Sequence, residues 1–136
     1  MGTIHKQTAD KTSATWLYPS VPIMEYRTDA SAGITKQILI SKAEGASDCL
    51  VHYFTFPPGG KSNLEKHRHE HGVVILHGKG RVLLDEQWRE IQFGDSIFIS
   101  SNEQHQFEAV GTEPFGFICV IPTWAEADSC AMPAQA

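Results

Sequence analysis

The chain has 136 residues, 41% of them hydrophobic and 20% charged, which suits one domain with its own core and excludes a disordered chain. Lysine plus arginine number 11 against 16 acids, a formal charge of −5 that argues against sequence-neutral binding of nucleic acid. The unusual component is histidine: there are seven, and His67, His69 and His71 alternate within one polar run. Imidazole binds transition metals and titrates near neutral pH, so function is sought there.

In chain order, residues 1–14 read as a flexible lead, with His5 in a mobile tail. The lead holds no apolar run of signal-peptide length and no later stretch approaches a membrane span, so a cytoplasmic protein without membrane contact is expected. Trp16 to Tyr26 carries apolar residues broken by Pro19 and Pro22, as an extended edge segment does. Short strands are then predicted at Ile34 to Ser41, Cys49 to Phe56, Gly72 to His77, Arg81 to Leu84, Trp88 to Phe93, Ser96 to Ser100, His105 to Val110 and Phe115 to Ile121. Turn formers separate them, and Gly78-Lys79-Gly80 reads as a hairpin turn. This density of strands indicates an all-β barrel or sandwich. It spans residues 15–123 with the edge segment included, and 124–136 form a short tail in which Trp124 to Met132 has the composition of a turn of helix. Cys49, Cys119 and Cys130 are odd in number and widely spaced, which fits neither a disulfide framework nor a zinc pair.

In Glu65-Lys66-His67-Arg68-His69-Glu70-His71, an extended backbone puts Glu65, His67, His69 and His71 on one face and Lys66, Arg68 and Glu70 on the other. A bend splits the set. Several imidazoles with a carboxylate make a binding surface for a divalent transition metal, whereas the plain alternative is a solvated mixed-charge strand.

The surrounding punctuation raises the metal reading. Gly59, five residues, Glu65, one, His67, three, His71, six, Gly78 resembles the first motif of the cupin family: Gly, five, His, one, His, three or four, Glu, six, Gly. Gly94-Asp95 opens a stretch similar to the second motif, with His105 at its histidine and Ser100, Asn102 and Ala109 in place of its Pro, Gly and Asn. The resemblance runs from about Cys49 to Pro122 and implies a single-domain double-stranded β-helix, that is, a jelly-roll barrel. It also implies one divalent metal, Fe, Mn, Ni or Zn, held by Glu65, His67, His71 and His105, with the carboxylate and one imidazole exchanged relative to the family's usual order. Within the family the run looks like small manganese-type cupins with His-x-His-Pro-Trp-Glu-His; Glu70-His71 matches their Glu-His, and His69 stands at their Trp.

Two other registers stay open. His67 and His69 could form the family's His-x-His pair, which would leave Val73 or Val74 at the Glu position; or the three histidines could bind alone with Glu65 outside as a base. His69 itself is a substitute ligand, a pocket residue or, in the favoured reading, exposed. His77, at the Gly78-Lys79-Gly80 turn, is expected to face solvent. His52, Phe107, Phe117 and Cys119 are pocket candidates, with plain core packing as the alternative.

The resemblance implies a metal-dependent enzyme acting on a small organic molecule, with an oxygenase or dioxygenase favoured and Glu65 as catalytic base. A lyase or isomerase of a small carbonyl compound, and a non-catalytic ligand-binding barrel, are the alternatives. A homodimer is expected, with Trp16, Leu17, Tyr18 and Ile23 offering apolar contact.

Overall fold

A computed structural model describes residues 2–10, 15–29 and 31–125. The strands are β1 Thr8–Asp10, β2 Thr15–Leu17, β3 Met24–Glu25, β4 Thr35–Ile40, β5 Cys49–Phe56, β6 His71–His77, β7 Lys79–Leu84, β8 Gln87–Gln92, β9 Ser96–Ile99, β10 His105–Val110 and β11 Phe115–Pro122. They form an antiparallel sheet in the order β3-β4-β5-β11-β6-β9, a second in the order β10-β7-β8, and the ribbon β1-β2. The fold is all-β and has the jelly-roll form. The lead expected to be flexible thus carries a strand, and the ring of His5 contacts Ser20 and Glu44.

Period-two alternation builds the core. β5 turns Leu50, His52, Phe54 and Phe56 inward, β10 His105, Phe107 and Ala109, and β11 Phe115, Phe117, Cys119 and Ile121. Five phenylalanine rings, Phe54, Phe56, Phe107, Phe115 and Phe117, join the sheets with centroids 4.5 to 5.7 Å apart. Each such ring removed from water stabilises the barrel by about 2 kcal/mol.

Gly78 is not in a hairpin. β6 pairs with β9 and β11, and β7 pairs with β8 and β10, so the chain passes at this residue from one sheet to the other. Its φ is +73°, and a Cβ there would stand 2.2 Å from the carbonyl oxygen of Pro114; glycine alone fits the corner. Turn residues announce a change of direction without naming the strands that pair, which is why the sequence suggested a hairpin.

The edge segment lies on the outer face of the large sheet. Buried Gln37 donates from its amide to the carbonyls of Tyr18 (2.9 Å) and Val21 (2.8 Å) and accepts from the N–H of Tyr18 (3.4 Å). This packing covers His77, which is half-buried and not solvent-facing: its Nδ1–H donates to Pro114 O (3.2 Å) and its Nε2 accepts from the Tyr53 hydroxyl (2.6 Å). Strict alternation would give His77 the inward parity of Val73 and Ile75; the register shift that adds one residue to β6 between Ile75 and His77 turns it to the outer face, where Trp16 packs over it. The same packing buries Tyr18, Val21 and Tyr26 and leaves Ile23 and Met24 as the exposed apolar residues of the segment.

Among the described residues Cys49 is exposed and Cys119 buried, and no helix is long and apolar enough to cross a membrane. Residues 11–14, Cys130 and all of the expected helical turn beyond Ala125 lie outside the described residues.

Candidate metal centre

The segment before the histidine run is held against β10. Ala109 N–H donates to Gly60 O (2.8 Å), Ser62 N–H to Phe107 O (2.9 Å), and Glu65 and His105 exchange both backbone bonds at 2.9 Å. Directly opposed residues of an antiparallel pair show their side chains on the same face, so the Glu65 carboxylate and the His105 imidazole are neighbours. Beyond Glu65 the chain bends. His67 O accepts the N–H of Asn102 (2.7 Å) and Arg68 O accepts the Ser101 hydroxyl (2.6 Å) before β6 begins at His71. Asn102 has φ +61°, the left-handed conformation that Asn tolerates better than other non-glycine residues, and it stands where the second cupin motif has Gly.

The bend splits the alternating set. Glu65, His67, His71 and His105 each present one donor atom, and those atoms all lie within 4.8 Å of one another. His69 is left out and lies behind: it is 0% exposed, with its ring stacked on that of His67 at 3.6 Å and 6°. Its expected exposure is therefore corrected, because the bend folds it inward while Lys66, Arg68 and Glu70 face water. The register that pairs His67 with His69 is likewise not the one the fold brings together.

The donor atoms fit a metal ion. The Nδ1 atoms of His67 and His105 face the carbonyl oxygens of His69 (3.0 Å) and Glu103 (2.8 Å). A carbonyl only accepts, so each Nδ1 carries the proton and each Nε2 turns a lone pair inward. His71 Nδ1 meets Cys119 Sγ at 2.8 Å, and His71 Nε2 stands 3.0 Å from His67 Nε2. Glu65 Oε1 is 3.6 Å from His105 Nε2 and 3.9 Å from His67 Nε2. His105 Nε2 is buried with no hydrogen-bond partner. An ion with bonds of about 2.1 Å places adjacent donors about 3 Å and opposite donors about 4.2 Å apart, which spans these separations. Three neutral imidazoles and a carboxylate suit Fe(II), Mn(II), Ni(II) or Zn(II) alike.

Burial favours the neutral imidazole at His67 and His71. It lowers the pKa of His67, helped by the proximity of His105 and opposed by Glu65. It lowers that of His71 well below the usual value, with His105, His67, His69 and His52 adding to the effect.

Glu65, His71 and His105 line a cavity together with Tyr26, Phe54, Phe56, Ser62, Phe107, Phe117 and Cys119. Its volume is about 30 Å³, room for one or two waters. Of the pocket candidates, Phe107, Phe117 and Cys119 line it; His52 and His69 are buried outside it. Phe54 and Phe56 share the parity of His52 in β5, a signal that could have added them. Tyr26 carries no spacing signal, yet its hydroxyl donates to Glu65 Oε2 (3.2 Å).

With this geometry in view, the Cupin domain family model matches residues 52–121, about half of the chain. The chain is a cupin. A curated relative is 35% identical over 122 residues, 88% of this cupin and 76% of the relative: the 1-methylthio-D-xylulose 5-phosphate methylsulfurylase of Rhodospirillum rubrum. The (S)-ureidoglycine aminohydrolase of Escherichia coli is 36% identical over 73 residues, 52% of this cupin but 28% of that enzyme. Among solved structures, a cupin-2 domain of Rhodospirillum rubrum superposes with a TM-score of 0.73 at 31% identity, covering 81% of this cupin and 74% of that chain.

Proposed function

We propose that this cupin is an enzyme that holds one divalent transition metal through Glu65, His67, His71 and His105 and acts on a small carbonyl compound, breaking a bond from the neighbouring carbon to a heteroatom. The convergence of three imidazoles and one carboxylate beside a mainly apolar cavity carries the reading. The choice of reaction is supported by the relative that matches most of the chain, whose name describes a methylthio ketose phosphate as its substrate.

A divalent ion at this site supplies Lewis-acid polarisation of a carbonyl oxygen. The protein does the rest. Nδ1–H bonds to backbone carbonyls fix the rings of His67 and His105 with their lone pairs inward. Phe54, Phe107 and Phe117 exclude water and raise the strength of every charge interaction inside. Glu65 has two distinct oxygens: Oε1 faces His67 and His105, while Oε2 bears the Tyr26 hydroxyl bond. Oε2 is thereby the atom placed to take a proton from a hydroxyl-bearing carbon on one side of the carbonyl; the C–H electron pair forms an enediolate, which expels the heteroatom group as an anion from the carbon on the other side. The cavity is smaller than any ketose, so a substrate enters by its reacting end or displaces side chains.

The oxygenase reading rests on a different observation: a small, largely phenyl-lined space of about 30 Å³ adjoining Glu65, His71 and His105 matches a diatomic gas in size. The discriminating experiment reconstitutes the protein with Fe, Mn, Ni or Zn and follows methylthio- and hydroxy-substituted ketones, with and without a phosphate, in air and under strict anaerobiosis. Anaerobic turnover that Glu65→Gln abolishes supports bond cleavage beside a carbonyl. Stoichiometric oxygen uptake would instead support an oxygenase, and absence of any stoichiometric transition metal in protein purified without chelators would favour a non-catalytic binding barrel.

The chain is also proposed to work as a homodimer. What supports this is an uncharged row across the outer sheet face, Ile40, Val51, Val120, Gly72 and Phe98, aligned in register on five strands, which meets a second copy of itself without charge repulsion. Light scattering at the chromatographic peak tests it, a monomer mass counting against it.

A further inference from the structure

We infer that His69 is a positioning residue: its ring, held between His67 and Trp124, fixes the plane of the His67 imidazole, so that metal affinity depends on an aromatic ring at position 69. The inference rests on the metal reading above. His67 needs such support, because it is the half-buried member of the donor set and sits on the bend where no strand pairing holds it. His69 supplies two restraints at once. Its carbonyl oxygen takes the Nδ1–H of His67 at 3.0 Å, which sets the direction of the ring, and its own ring lies flat on the His67 ring at 3.6 Å and 6°, which sets the plane. The carbonyl bond alone leaves the imidazole able to swing about that axis and carry Nε2 away from the other donors.

The support is itself clamped. His71 meets the His69 ring from one side at 5.0 Å and 61°, and Trp124 from another at 6.2 Å and 84°. The Arg68 guanidinium covers Trp124 at 4.3 Å from the ring centre, a cation–π contact. A parallel, fully buried ring on the face of a ligand is the arrangement of a platform, because a ligand would aim its nitrogen edge at the shared centre. Imidazole chemistry at position 69 is then dispensable, whereas a flat face is required.

The test titrates cobalt and zinc into chelator-stripped full-length protein against a chromophoric competitor, for wild type, His69→Phe, His69→Leu and His69→Ala, alongside thermal unfolding of each metal-free form. Outer partners of metal ligands govern affinity by about 10- to 100-fold. His69→Phe is expected to stay within about threefold of wild type, His69→Ala to weaken binding at least about tenfold, and His69→Leu, which fills the core without a planar face, to fall between. Should His69→Ala fail to fold, the contrast of Phe with Leu decides. Equal losses in Phe and Leu would show that the imidazole itself is needed and overturn the inference. Wild-type affinity in Leu would overturn it as well, by showing that core filling suffices. A wild type that binds neither metal overturns the metal reading itself, an outcome distinct from both.

Discussion

Glu65 and His105 lie far apart in sequence yet face each other across an antiparallel bridge, exchanging both backbone hydrogen bonds at 2.9 Å and bringing Oε1 to 3.6 Å from Nε2. That bridge is how the two cupin motifs become one site. It also gives the carboxylate a place that backbone pairing fixes, while His67 depends on the bend that follows.

Removing donors singly separates these roles. His105→Ala and His67→Ala are each expected to weaken metal binding by more than the roughly 100-fold attached to outer partners, measured by competition with a chromophoric chelator. Glu65→Gln keeps the backbone bridge and the oxygen but loses the charge, so a smaller loss of about tenfold is expected. If all three variants take up metal as wild type does, these residues do not form the site.

Asn102 tests the turn that holds His67. Its positive φ suits Gly at least as well, so Asn102→Gly should change stability little. Asn102→Val places a β-branched side chain in left-handed backbone and should cost about 2 kcal/mol. Because Asn102 N–H donates to His67 O, the Val variant should also weaken metal binding. Denaturant unfolding with and without metal measures both, and equal stability of the Gly and Val variants would contradict the turn assignment.

How much of this was legible depends on the kind of signal. β5 and β10 occupy their predicted residues, Cys49–Phe56 and His105–Val110, because alternation and flanking turn residues agree there. The grouping of Glu65, His67, His71 and His105 was readable from motif spacing, and Asn102 could stand in for a motif glycine because both accept the same backbone. His69 was not readable: alternation assumes a straight strand, and the bend is imposed by Ser101 and Asn102, distant in sequence. His77 was hidden twice over, by the register shift in β6 that changes its face and by the segment that covers it, and the lock of Gln37 was hidden because parity does not tell whether another segment covers the outer face.

Gln37 provides a test of that covering segment. Gln37→Leu removes the partner of two carbonyls and one N–H on the Tyr18–Val21 turn. Leaving such buried groups unpaired costs about 1 to 3 kcal/mol each before water re-enters. The expected outcome is faster hydrogen exchange at the amides of Tyr18 and Val21 and a lower melting temperature, with metal affinity unchanged because the donors lie on the inner face. Unaltered exchange at these amides would show that ring packing, not Gln37, holds the segment.

His52 predicts the acid limb of stability. It is 3% exposed, and its Nδ1 has no hydrogen-bond partner; burial, then the charge of Lys36 and the proximity of His69, lower its pKa from 6.5 to about 4. The unfolded chain therefore takes up a proton as pH falls through about 6.5, and the folded protein does not until about 4. Stability from this group is whole above that upper value, declines between the two, and changes no further below the lower one, a total of about 3 kcal/mol. His67, His71 and His77 are shifted in the same direction and add to the wild-type slope, so the informative quantity is a difference between two proteins. Metal-free His52→Leu, which keeps an apolar group in the core without a titrating one, should gain about 2 kcal/mol relative to wild type between pH 7.5 and 4.5. Urea unfolding at both pH values measures it, and a difference that does not change with pH would mean that His52 takes up its proton equally in the folded and unfolded chains.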